Sequence, residues 1–123
     1  MSEFNNVKVN KEANIYFDGK VISRKITFAD NSIKTLGVML PGEYEFNTEK
    51  KELMEIYTGE LAVLLNNSEE WEAIEAGMSF SVPAKSKFNI KIYKFINFIL
   101  KIFYNIFIFH SVIVNFIIIK VSE

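Results

Sequence analysis

The chain has 123 residues, half of them hydrophobic, with 14 basic and 15 acidic side chains and a formal charge of −1. That length suits one compact domain and excludes two. The near-neutral, interspersed charge gives no long-range field for steering nucleic acid. The chain has no cysteine and a single histidine, His110. Disulfides, thiolate–zinc sites, thiol nucleophiles and histidine clusters are therefore excluded, and a reducing, intracellular setting is expected.

Residues 1–13 are polar, without the apolar run of a signal peptide, and are read as a lead-in. Asn14 to Ser23 is β-rich, with Asp18-Gly19 as a turn or bulge signal. Arg24 to Ala29 alternates, and Asp30-Asn31-Ser32 is a turn cluster. Thr35 to Leu40 is a short apolar strand, then Pro41-Gly42 turns into Glu43-Tyr44-Glu45-Phe46. Successive side chains of a strand point to opposite faces, so either the two glutamates face inward or the two aromatics do.

Leu53 to Tyr57 and Glu60 to Leu65 are read as a hairpin about Thr58-Gly59, after a charged connection over Glu49 to Glu52. Trp71 to Ile74 and Met78 to Val82 flank a turn at Glu75-Ala76-Gly77. A loop over Pro83 to Ser86 leads to Phe88 to Phe95, which alternates again, and to a last strand over Ile96 to Phe103. Many short strands between frequent turns predict an all-β sandwich or barrel.

From Ile102 to Ile119 no residue carries a formal charge. The run just reaches the length of a membrane span, roughly 18 residues. It nevertheless holds Asn105, His110, Ser111 and Asn115, which are costly in lipid unless paired. It reads as a membrane anchor, as extra structure packed on the domain or a partner, or as an accidental extension such as read-through. His110 is given no role.

Two motifs carry the chemistry. Gly37 is followed by five residues, Glu43-Tyr44-Glu45, then Glu52, six residues and Gly59. Gly77 is followed by five residues, Pro83, Lys85 and Phe88. This layout resembles the paired motifs of the cupins, with Glu43, Glu45, Glu52 and Phe88 in the metal-ligand positions. The resemblance implies a single-domain cupin (a double-stranded β-helix or jelly-roll barrel) over 14–103, with an atypical hydrophobic extension over 104–123. It argues against a transition-metal centre.

The Tyr16 to Val21 run, Gly37-Val38-Met39, Gly42-Glu43-Tyr44, Phe46, Trp71, Gly77, Val82-Pro83, Ser86 and Phe88 look more narrowly like the small pyrimidine/purine nucleoside phosphorylases. The likeness implies phosphorolysis of diverse nucleosides to free base and ribose 1-phosphate. It implies no cofactor beyond inorganic phosphate as co-substrate, and a cytoplasmic homodimer. Members of that family commonly carry an arginine near Lys101, where lysine keeps the charge and loses the bidentate fork.

Cleavage at an anomeric carbon needs a cation or N–H donors for phosphate, an acid for the leaving base, and a polar wall for the charge developing on ribose. Glu43 and Glu52 are the expected catalytic carboxylates. Lys85 and Ser86 at a barrel rim, and Arg24, are the expected phosphate ligands. Tyr44, Tyr57, Phe80 and Phe88 are expected to stack on base or sugar, a contact that tolerates every base. Two alternatives stay open: a metallo-cupin using Glu43, Glu45 and Glu52 as oxygen ligands, and a sugar- or nucleotide-binding module without turnover.

Overall fold

A computed structural model describes residues 2–104. The sequence readings that fall on 105–123, His110 and the apolar run included, lie outside the described residues. Among the described residues no helix is long and apolar enough to cross a membrane.

Among the described residues nine strands, antiparallel in every pairing, form the sheet. They are β1 (Lys8–Val9), β2 (Asn14–Tyr16), β3 (Val21–Thr27), β4 (Ile33–Met39), β5 (Gly42–Asn47), β6 (Glu52–Leu65), β7 (Glu72–Glu75), β8 (Ser79–Val82) and β9 (Lys87–Ile102). A single 3-10 turn, Phe17–Gly19, joins β2 to β3. The ladder runs β1-β3-β4-β9-β6-β7, with β2 beside β3, β5 beside β9 and β8 beside β6.

Two strands are long enough to belong to both walls. The first half of β6 pairs with β8 and with the second half of β9, whose other edge carries β4. The second half of β6 pairs with β7 and with the first half of β9, whose other edge carries β5. The result is the jelly-roll barrel expected from the sequence. Its core gathers Val21, Met39, Ile56, Leu61, Val63, Ile90 and Ile96 from both walls, with Val63, Ile90 and Ile96 wholly without solvent contact.

The expected hairpin at Thr58-Gly59 is a correction. Residues Glu52–Leu65 are one strand, and the register against β9 slips between Ile56 and Leu61. Those bulges bend β6 so that it passes from one wall to the other. Likewise Phe88 to Phe95 and Ile96 to Phe103, read as separate strands, are one strand, Lys87–Ile102. The polar lead-in contributes β1, which pairs with the end of β3.

Gly59 makes the bend possible. It sits at φ +94°, and a Cβ there would fall on the carbonyl oxygens of Phe95 and Lys94 and on the side chain of Ile96. Both the left-handed backbone and the close approach of β9 require glycine. Substituting Gly59→Ala should therefore cost about 3 kcal/mol or more, from backbone strain plus overpacking. Urea unfolding reads this as a lower midpoint at unchanged m value; an unshifted midpoint would remove the constraint assigned to this residue.

Candidate functional site

Strand alternation sorts the side chains of each wall. On β5, Tyr44 is buried and Phe46 half-buried against the core, so Glu43 and Glu45 stand on the other face. Of the two phases the sequence allowed, burial of two rings wins over burial of two carboxylates. On β6, Met54 and Ile56 point inward with Glu52, two residues before Met54. On β9, Phe88, Ile90, Ile92, Ile96 and Phe98 point inward.

These inward faces enclose a cavity of about 790 Å³. Phe46 and Phe88 form one wall, nearly parallel with ring centroids 5.5 Å apart. Phe17 closes against Tyr44 and Phe46 at 4.9 and 5.5 Å. Phe17 holds φ +53°, a left-handed conformation that an aromatic residue adopts only when its surroundings impose it. Here the ring contacts at the cavity mouth supply that constraint. Phe98 lies over Gly37, where a Cβ would come within 2.7 Å of its ring, so this glycine makes room for the ring on the cavity floor.

The polar lining is sparse. Ser23 is buried and accepts a hydrogen bond from the Asn14 amide at 3.3 Å. Thr35 and Asn47 also line the cavity. Glu45 reaches its rim, where it pairs with Lys87 at 3.7 Å with both side chains more than half exposed. Glu52 is the half-buried carboxylate of the lining, and desolvation pushes its pKa above the ordinary glutamate range. Neither lysine nor arginine occurs among the described lining residues.

The expected site residues therefore separate. Glu52 and Phe88 line the cavity. Tyr44 and Phe80 are buried in the core behind it; the Tyr44 hydroxyl donates to the Leu40 carbonyl at 2.7 Å, and the Phe80 ring meets Phe88 edge-on at 6.3 Å. Glu43 is exposed on the far face of β5, and Tyr57 is about half exposed on the outer side of β6. Arg24 donates to the carbonyls of Asn10 and Lys11, fastening the N-terminal segment. Lys85 is exposed, and the backbone N–H and carbonyl of Ser86 are bonded to Thr48.

That loop is held by a residue the sequence reading passed over. Thr48, 3% exposed, donates its hydroxyl to the Pro83 carbonyl at 2.6 Å and accepts the Ser86 N–H at 3.0 Å. Its own N–H donates to the Ser86 carbonyl at 2.8 Å. Phe17, Tyr16, Ser23 and Asn14 were likewise missed as lining residues, although Tyr16 and Phe17 beside the Asp18-Gly19 turn were a visible signal.

A cupin metal centre does not fit these residues. Of the four ligand positions, Glu43 faces solvent, Glu45 is paired at the rim, and Phe88 offers a hydrocarbon ring packed on Phe46. Glu52 is left without companions, and no group of three histidine, cysteine or acidic residues comes together among the described residues. The oxygen-ligated arrangement of Glu43, Glu45 and Glu52 is thus not formed.

The fold and cavity define a single-domain cupin built around rings and one buried acid. The fold is shared with an RmlC-like cupin from Shewanella frigidimarina (TM-score 0.58, 15% identity, 80% of this chain and 85% of that one). It is shared more closely with a protein of unknown function from Acinetobacter (TM-score 0.79, 39% identity, 82% of this chain and 98% of that one). Residues 11–101 match the family described as pyrimidine/purine nucleoside phosphorylase. Relatives of that name include one from Chlorobium chlorochromatii, 63% identical over 76% of this chain and 90% of its own length. Another, from Geobacter, is 60% identical over 75% and 89%. The chain belongs to the pyrimidine/purine nucleoside phosphorylase family.

The raised pKa of Glu52 has a consequence for stability. A carboxyl whose folded pKa exceeds its unfolded value, about 4.3, binds its proton more tightly in the native state. Its cost is absent below the unfolded pKa and sets in as pH rises through the folded one. Glu52→Gln should therefore gain stability relative to the parent between pH 4 and pH 7, read by urea unfolding across that range. A difference independent of pH would show that this carboxyl is not desolvated.

Proposed function

We propose that this chain is a broad-specificity nucleoside phosphorylase, a pentosyltransferase that cleaves purine and pyrimidine nucleosides with phosphate to free base and ribose 1-phosphate. The reading includes catalysis without a transition metal, and a cytoplasmic homodimer as the working form. Family membership supports the reaction class. The observation that carries the mechanism is the position of Glu52: a half-buried carboxyl, pushed toward its protonated form, inside a cavity walled by Phe46 and Phe88.

Phosphorolysis forms a C1′–O bond to phosphate as the C1′–N bond breaks. The departing base nitrogen takes the electron pair and needs a proton. In this reading Glu52 gives it, and the proton released by the phosphate oxygen on attack restores the acid. Ring faces select for a planar heterocycle without reading its edge, which suits a substrate range spanning both base classes. A narrow set of hydrogen bonds to the base would instead reject the analogue that lacks them. The carboxylate of Glu52 also stands ready for the cationic character that develops on the sugar.

Purified protein should release uracil from uridine and adenine from adenosine only when phosphate is present, with ribose 1-phosphate formed in equal amount and EDTA without effect. Glu52→Gln should lower kcat by about 10²–10⁴-fold with a small change in KM, whereas Glu43→Gln should stay within about twofold of the parent. Nucleoside binding without ribose 1-phosphate would defeat the reading and favour a binding module. A loss confined to the Glu43 variant would reassign the acid.

A further inference from the structure

We propose that Lys25, with Thr35 beside it, forms the phosphate-binding end of the cavity. The proposal rests on the phosphorylase reading, since it supplies the site for the co-substrate. The lining includes two carboxylates, Glu45 and Glu52, and no cationic side chain among its described residues. A phosphate dianion deep in this cavity would meet no positive side chain among the described lining residues, so its cation must come from the mouth.

On β3 the buried residues Val21 and Ser23 both line the cavity. Alternation places Lys25 on that same face, one pair beyond Ser23, and Arg24 on the other. Two observations agree with this phase. The Arg24 guanidinium is engaged by the Asn10 and Lys11 carbonyls, away from the lining. Ile26, on the face of Arg24, is buried yet stands outside the core cluster that surrounds the cavity. The cross-strand partner of Lys25 is Thr35, which lines the cavity. Lys25, on a four-carbon stem, and the Thr35 hydroxyl thus share a cross-strand pair on the cavity face, with the Ser23 hydroxyl and the Asn14 amide one pair further along β3.

The placement suits displacement at C1′. Thr35 stands on β4 and Glu52 on β6, with β9 between them. Two strand spacings, about 10 Å, separate those ladders. Phosphate held at the Lys25 side and a base leaving toward Glu52 would approach the sugar from opposite directions, as attack opposite the leaving group demands. Other basic residues near the barrel are placed differently. Lys87 is paired with Glu45, Lys34 lies over the Phe28 ring and Lys101 over the Phe103 ring.

The test uses the full chain with uridine and inorganic phosphate, alongside direct titration of phosphate by calorimetry without nucleoside. Lys25→Ala should raise the KM for phosphate about tenfold or more while the KM for uridine stays within about twofold. Lys25→Arg should restore most of the loss, and the urea midpoint should not move. Equal rises in both KM values, an unchanged phosphate KM, or a phosphate defect that appears in Lys85→Ala instead would overturn the assignment. If the parent turns over no nucleoside, the phosphorylase reading fails on its own, and calorimetry still judges the site. Weaker phosphate binding by Lys25→Ala than by the parent would uphold it, and equal binding or none in the parent would end it.

Discussion

The pairing of β6 with β9 is the constraint on which the rest depends. These strands face each other from Glu52 opposite Ile102 to Leu65 opposite Phe88. Every other strand but β1, β2 and β3 hydrogen-bonds to one of them. A straight ribbon of that length would give one open sheet with two exposed faces. The bulges about Gly59 bend it instead, and the two halves of each strand become parts of opposing walls. The cavity is the space the bend leaves between them. Its two most telling residues, Glu52 and Phe88, come from the start of one long strand and the start of the other.

Packing then decides what that space contains. The ring wall of Phe46 and Phe88, with Phe17 at the mouth, buries apolar area on both sides. On the inward face of β5 it leaves no place for a carboxylate, so Glu45 reaches the cavity only at its rim. Phe88 cannot ligate a metal, and its ring packs on Phe46 in the same cavity that Glu52 lines. A carboxyl in such a place is pushed toward its neutral, proton-donating form. Thr48 supports this arrangement from outside by pinning the loop that leads into Phe88.

Much of the fold was legible in the chain. Alternation and turn residues pointed to an all-β sandwich or barrel, and the resemblance of Gly37 to Gly59 and Gly77 to Phe88 to the cupin motifs implied the cupin barrel, which the structure has. Less of the site was legible, because alternation gives a period and not a phase. Glu43-Tyr44-Glu45-Phe46 reads equally well with acids or rings inside until the facing wall is known. Arg24 and Lys25 pose the same choice, and the edge contacts of Arg24 with Asn10 and Lys11 are invisible to local pattern. Gly59 misled for a different reason. A positive φ serves a tight hairpin and a bulge alike, and the close approach of the Phe95 carbonyl that distinguishes them comes from residues 36 positions away.

The same argument bears on how the proposed phosphorylase site would treat different bases. Specific recognition in a buried site comes from polar groups that are left unpaired when the wrong ligand enters. Apart from the rim pair at Glu45, the polar side chains among the described lining residues are those of Asn14, Tyr16, Ser23, Thr35, Asn47 and Glu52. Asn14 and Ser23 already bond to each other. Little remains to be left unsatisfied by an exchange of one heterocycle for another, so the site has small means of rejecting either class. What every nucleoside shares is the ribosyl carbon, a nitrogen that must leave as its protonated form, and a planar ring. In the proposed reading, a carboxyl pushed toward its protonated form and a stacked pair of phenyl rings address those shared features and nothing finer.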